Sequence, residues 1–380
     1  MARFRKTDVS AGEASEFLEI SRRRFYQLYS SYLEACALNK EDLWSPGRSG
    51  GNHCKPLSKE VEYLLRTLLG SKTPLSYSFA ASEVHRRLNV KIDRATVRRW
   101  ALKEKLQHSG PVKKAPAAVR RWQCSEIGSL WQLDASPHAW FGENAPKTAL
   151  INMLDDCSRV ITGTRLYEKE CLLSYMDFLP RAFMEHGLPL ALYVDYHSFF
   201  FSQNQEVLTQ LGKALMFYNV SLRYAPTPQA KGKIERNHSF WQQRLPALFV
   251  IEKISDVDPA NTVIDMLRTY HNQEEIHREI ERTPNEAWQQ AIAEKRSVLR
   301  PAPKCPWWKY IWSVRTSVIV DSYGRIPIGT QRIRVEAPPH QRLVMFQHPT
   351  GDVTILKEPP NPAKLPVIIL NYPRNTKWKL

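Results

Sequence analysis

Three acidic residues, Asp134, Asp195 and Glu235, lie 61 and 40 positions apart in the 380-residue chain. Asp134 ends the apolar run in WQLDAS, Asp195 ends the one in LALYVDY, and Glu235 sits in the opening turn of KGKIER. Carboxylates brought together repel one another and resist desolvation unless a cation joins them. Magnesium is such a cation: it prefers hard oxygen, takes few protein ligands and completes its shell with water and phosphate oxygens. Two ions roughly 4 Å apart can clamp the attacking and leaving oxygens of an in-line phosphoryl displacement. Taken alone, the triple is one of many that 38 acidic residues offer. Asp155 and Asp156 also end an apolar run, where Asp commonly serves turn chemistry.

Bringing the three together requires a sheet. SLWQLDAS, TALINMLDD, VITGTRLYE, LALYVDY and SLRYAP read as strands, and CLLSYMDFLPRAFMEHG, NQEVLTQLGKALMFYN and KGKIERNHSFWQQRL as helices. Three successive strands followed by helix–strand alternation predict a mixed sheet flanked by helices over residues 121–250. The first and fourth strands are then neighbours, and the last helix lies across their ends. Residues 251–300 read as a helical extension, closed by Pro301, Pro303 and Pro306. Residues 310–358 alternate in short strands with turns at Tyr323 and Gly324 and at Thr350 and Gly351, which predicts a small β-barrel of about five strands. Trp307, Trp308 and Trp312 anchor its start, and 359–380 is a Pro-rich basic tail.

The N-terminal third is helical. In residues 1–45, Ser21 caps a helix with Phe25, Leu28, Tyr29 and Leu33 on one face and Arg22, Arg23 and Arg24 in its first turn. A Gly-, Ser- and Pro-rich linker over 44–56 leads to a second unit at 57–107. There Val61, Leu64, Leu65, Leu68 and Leu69 form an apolar stripe, and Asp93 caps a helix whose Val97, Trp100 and Leu102 face inward. Arg94, Thr96, Arg98 and Arg99 remain for solvent or a ligand. Both units have the pattern of a helix-turn-helix, which presents its second helix to the DNA major groove. A basic linker over 107–120 follows.

Charge agrees with this division. The net charge is +16 and the pI near 9.6, which points to a polyanionic partner. Residues 1–120 carry 23 basic and 12 acidic side chains, 121–300 carry 19 and 22, and 301–380 carry 12 and 4. An acidic middle between basic flanks fits a metal-dependent enzyme held on nucleic acid by its ends. The six cysteines include no C-x-x-C pair, which disfavours a zinc ribbon or a disulfide framework. No apolar run is long enough for a membrane span, and MARFRKTDVS lacks a signal-peptide core, so the expected setting is the cytoplasm.

Residues 120–290 resemble the DDE transposases of bacterial insertion sequences and the retroviral integrases. LWQLDAS resembles the first catalytic strand of that family, and INMLDDCSRVITG its second strand, with Asp156, Ser158 and Arg159 matching a familiar Asp–Ser–Arg element. GLPLALYVDYHSFF resembles the second catalytic block, YAPTPQAKGKIER the third and RTPNEAW a motif after the core. The resemblance implies a ribonuclease-H-like core in which Asp134, Asp195 and Glu235 hold two magnesium ions, with manganese able to substitute. It implies cleavage at a transposon end, then attack of the freed 3′ hydroxyl on target DNA. The implied partners are double-stranded DNA (terminal repeats and target) and further copies of the chain, with a helper ATPase left open. Lys231, Lys233 and Arg236 would then contact phosphates beside Glu235. The chain departs from the family in a longer gap before Glu235 and in having Tyr196 and His197 where Asn-Gly is common, which bears on the local loop. Two other readings are a sequence-specific DNA-binding regulator derived from such an enzyme and a general ribonuclease-H-type nuclease. Loss of metal-dependent cleavage with binding retained marks the first, and cleavage of RNA–DNA hybrids without sequence preference marks the second.

Overall fold

The computed structural model describes residues 1–40, 44–46, 56–70, 75–106, 122–142, 144–201, 209–225, 231–303, 307–359 and 366–373. The linker expected over 107–120 lies outside them, as does most of that over 44–56. The chain forms two compact units, Met1–Ser58 and Lys59–Leu380.

The first unit holds α1 (Ala2–Arg5), α2 (Ala11–Phe17) and α3 (Arg22–Ala37). Ser10 and Glu13 form a capping box on α2, and Ser21 caps α3 by accepting from the Arg24 amide. Its small core gathers Phe4, Phe25 and Tyr29, with Phe4 edge-on to both partners at 5.0 and 4.8 Å. Leu33, expected on the apolar face, is 40% exposed, whereas Tyr32 beside it is buried and packs on Trp44 at 5.3 Å.

The second unit begins with α4 (Lys59–Leu69), α5 (Tyr77–Leu88) and α6 (Arg94–Lys103). Ser76 and Asp93 cap the last two, and Asn89 ends α5 in the left-handed conformation. Val61, Leu65, Leu68, Phe79, Val84, Val97 and Trp100 make the bundle core, whereas Leu102 remains 39% exposed. Arg87 bonds Glu252, and His85 bonds the Tyr270 hydroxyl, so the bundle docks on helices of the core that follows.

That core is a five-stranded sheet of β1 (Trp131–His138), β2 (Thr148–Asp155), β3 (Ile161–Tyr167), β4 (Ala191–Val194) and β5 (Ser221–Tyr224), in the order β3-β2-β1-β4-β5. β1, β2 and β3 run antiparallel, and β4 and β5 add parallel to β1, giving the mixed sheet expected. Between them run α7 (Leu172–His186) and α8 (Gln210–Phe217), followed by α9 (Gly232–Gln242), α10 (Leu245–Glu252), α11 (Val257–Glu274) and α12 (Pro284–Ala293). Trp131, Leu133, Met176, Phe183 and Leu192 lie in the main apolar core. Gly163 lets α7 approach β3, since a Cβ there would stand 2.8 Å from the Phe178 ring. On the open edge of β3, the side-chain amide of Asn261 exchanges bonds with the Leu166 backbone, and that of Asn272 with the Ile161 backbone. The edge strand is thereby paired by side chains of α11.

After α13 (Trp308–Ile311), the C-terminal part holds β6 (Val314–Ile319), β7 (Arg325–Ile328), β8 (Gln331–Arg334), β9 (Arg342–Gln347), β10 (Val353–Leu356) and β11 (Ile368–Tyr372). These form a four-stranded sheet, β11-β10-β9-β6, and a separate β7-β8 hairpin. This corrects the expected barrel: among the described residues no ladder joins the hairpin to β6 or β11, so nothing closes. It also corrects the tail, because residues 368–372 pair with β10 and complete the sheet. Their alternation is weak, with partly exposed side chains, so the backbone ladder places them. Trp312 anchors this part, stacking on Tyr218 at 5.5 Å and packing against Phe183 at 5.9 Å. Among the described residues no helix is long and apolar enough to cross a membrane.

Candidate active site

Alternation along β1 sends Gln132, Asp134 and Ser136 to one face, and α9 lies along that row. Gln132 accepts from the Ile234 amide at 3.3 Å, and Gln242 donates to Ser136 at 3.0 Å. On β2, Asn152 opposes Asp134 and bonds Asn237. A polar row on β1 and β2 thus fixes the helix that carries Glu235.

Asp195 follows β4 directly. β4 pairs with β1 in the register Trp131 to Leu192, an offset of 61. The same offset separates Asp134 from Asp195, so their spacing in sequence is the strand register itself. The Lys231 ammonium lies 2.6 Å from Asp134 and 3.9 Å from Asp195. His238 Nε2 stands 3.3 Å from the other Asp134 oxygen and forms an ion pair there only when protonated. Burial by itself would raise the Asp134 carboxyl, yet His238 and Lys231 outweigh it and hold the group below the usual carboxylate range. The Asp195 side chain is 52% exposed and accepts from the His197 amide.

Glu235 is exposed. It follows Lys231 by four positions and precedes His238 by three, so it shares their stripe of α9. Its carboxylate does not join the other two: among the described residues no three Asp, Glu, His or Cys side chains form a group able to hold a metal.

The cations expected near Glu235 are all engaged. Lys231 holds Asp134, Arg236 pairs with Glu279, and Lys233 bonds Asp156 at 2.5 Å and the Trp122 carbonyl at 2.7 Å. Arg22 and Arg23 are exposed at the start of α3, and Arg24 is partly covered beside Gln27. On α6, Arg94, Arg98 and Arg99 are exposed, and Thr96 accepts a bond from Arg99.

Two roles escaped the sequence. Asp155 does serve turn chemistry, accepting from the Gly128, Cys157 and Ser158 amides, but Asp156 beside it reaches across to α9. The second role is that of the Asn152–Asn237 pair, which no local pattern marks.

No family model matches the chain. The transposase for insertion sequence IS1202 of Streptococcus pneumoniae is 34% identical over 172 residues, covering 43% of this chain and 36% of that protein. The chain resembles insertion-sequence transposases. A transposase-like protein of Sinorhizobium fredii is 28% identical over 190 residues, 48% of this chain and 41% of the relative. The chain therefore spans about two fifths of the length of these transposase relatives. Among solved structures, the HTLV-2 integrase catalytic core in complex with magnesium aligns with 42% of this chain and 95% of its own, at 18% identity and a TM-score of 0.34. A simian T-cell lymphotropic virus intasome in complex with PP2A regulatory subunit B56 gamma aligns with 78% and 100%, at 15% identity and 0.39. At such scores these likenesses add nothing to the sequence relationship with transposases.

Proposed function

We propose that the chain is a transposase that binds double-stranded DNA at the ends of its element and carries out metal-dependent strand cleavage and transfer. The observation that carries this reading is the Asp134–Asp195 pair, set side by side by strand register and reached by one ammonium, in a chain similar to insertion-sequence transposases. Asp134, Asp195 and Glu235 are the proposed ligands. Two carboxylates within reach of one cation suit a hard divalent ion such as magnesium, or manganese in its place, which needs few protein ligands. Glu235, spaced from Lys231 and His238 to lie on their stripe of α9 but exposed and apart from the other two carboxylates, is the third donor by family resemblance. When bound, two such ions supply positive charge to the attacking and leaving oxygens of an in-line displacement.

The chain's own residues prepare that step. His238 and Lys231 hold the Asp134 carboxyl below its usual range. Lys233 on Asp156, and Gln132 on the Ile234 amide, fix the first turn of α9 and with it the base of Glu235. The α3 and α6 units serve as helix-turn-helix contacts, with Arg22, Arg23 and Arg24 on one and Arg94, Thr96, Arg98 and Arg99 on the other. Of the α9 cations, Arg236 is the one open to a phosphate, its side chain being 54% exposed. Water breaks a P–O3′ bond at the element's end and leaves a 3′ hydroxyl. That hydroxyl attacks a target phosphodiester, exchanging one P–O bond for another without a covalent protein–DNA link. Joining two ends calls for at least two copies of the chain on DNA.

The test is a strand-transfer assay with the full chain, labelled DNA from the ends of its own element, a target plasmid and magnesium. Labelled end joined to plasmid, lost with EDTA and with Glu235→Gln while end binding persists, is the expected result. Undiminished joining by Glu235→Gln would remove Glu235 from the site.

A further inference from the structure

Lys231 has an unusual position for a basic residue at the start of a helix. Its side chain is only 6% exposed, and its ammonium reaches both Asp134 and Asp195. It does not cap α9 with a side-chain bond. Nor is it needed to dock that helix, which is held independently by Lys233 on Asp156, the Ile234 amide on Gln132, Asn237 on Asn152 and Gln242 on Ser136. None of those four contacts of α9 involves Lys231. What its position does accomplish is charge balance: two carboxylates at adjoining strand ends repel, and one cation at 2.6 and 3.9 Å relieves that repulsion.

We infer that Lys231 is a tethered cation that occupies the position of a divalent metal between Asp134 and Asp195 and is exchanged for that metal. This rests on the metal-binding reading of the same pair. The ammonium and the ion cannot both bind the same carboxylate oxygens, so each weakens the other by the same factor. Lys231 thereby preserves the site without metal and raises the metal concentration needed to load it.

The experiment is calorimetric titration of the full chain with magnesium and with manganese, beside thermal melting in EDTA, for wild type, Lys231→Met, Lys231→Gln and Asp134→Asn. Lys231→Gln keeps a hydrogen-bond donor without the charge and serves if the methionine variant fails to fold. The expected result is metal affinity at least about fivefold tighter in the uncharged variants, the lower end of ordinary coupling between sites. Their melting temperature in EDTA falls and is regained on adding metal, and Asp134→Asn loses most of the binding. Equal or weaker affinity in the uncharged variants, with wild type still binding, overturns the exchange and leaves the metal site standing. No metal binding by wild type or by either uncharged variant overturns both.

Discussion

Lys233 Nζ lies 2.5 Å from Oδ1 of Asp156, a residue with no solvent exposure. The Asp156 carboxylate also accepts from Gln132 at 2.8 Å and from the Cys124 amide at 2.8 Å. Burial lowers the Lys233 ammonium from its usual range, and Asp156 pulls it back only in part. Lys233→Met therefore leaves a charge in the core without its counter-ion. The expected loss is about 3–5 kcal/mol, read by urea unfolding. Adding Asp156→Asn should recover part of it, because no lone charge then remains. A single-variant loss close to zero would mean that the pair does not anchor α9.

Arg94 and Arg98 stand one turn apart on α6, exposed and without an ion pair among the described residues. Arg236 is partnered by Glu279. If α6 contacts the DNA backbone, Arg94→Ala and Arg98→Ala each weaken binding and lower the slope of log affinity against log salt by about one. Arg236→Ala should change it less, because the arginine must first leave Glu279. Salt titration of duplex binding by fluorescence anisotropy separates the two. An unchanged slope for both α6 variants would remove that helix from the interface.

Much of the core was legible because its signals are local. WQLDAS and LALYVDY announce two strands, and the separation of 61 between their acids matches the register the sheet adopts. Ser21 and Asp93 were readable as caps from the residues that follow them. Long-range partners were not readable. Nothing near Lys233 indicates Asp156, 77 residues away, and so a buried anchor resembled a phosphate contact. Asn261 and Asn272 look like ordinary helix-surface residues until β3 is beside them. The barrel expectation failed for a related reason, since strand count and alternation do not say which edges close.

Acid should weaken the fold in two windows. Burial, with Arg159 and His271 nearby, lowers His277 from 6.5 to about 4. It stays neutral in the folded chain while the unfolded chain takes up a proton, so its contribution, full above pH 6.5, is lost as pH falls towards 4. Burial works against Glu275, but His271 and Arg244 outweigh it and bring the carboxyl from 4.5 to about 2. That contribution is present above pH 4.5 and is lost as pH falls towards 2. Each group by itself adds at most about 1.4 kcal/mol per pH unit; His348, also lowered by burial, adds to the first window, and Glu185, brought to about 2, adds to the second. Melting temperatures from pH 7.5 downwards should fall below about 6.5, the ordinary histidine value, and His277→Gln should make the first window shallower while His348 keeps its part. An identical profile in that variant would assign the slope elsewhere.

The open edge of β3 offers the most direct test of how the core is closed. Asn261 is 4% exposed, and its amide both donates to the Leu166 carbonyl at 2.9 Å and accepts from the Leu166 amide at 2.7 Å. Asn261→Ala removes both partners and supplies no water to replace them. Each orphaned buried group costs about 1–3 kcal/mol, so a loss of at least about 2 kcal/mol is expected. Asn261→Asp should not rescue it, because the carboxylate keeps an acceptor for the Leu166 amide, loses the donor for its carbonyl and brings a charge into a buried position. Hydrogen exchange gives the local reading: the Leu166 amide should exchange faster in Asn261→Ala, while amides bonded within the β1–β2 ladder slow or quicken only with global stability. An unpaired strand edge also invites pairing with other chains, so the alanine variant should aggregate more readily on heating. Unchanged Leu166 exchange would mean that the asparagine does not protect the edge, and that helix packing alone keeps β3 covered.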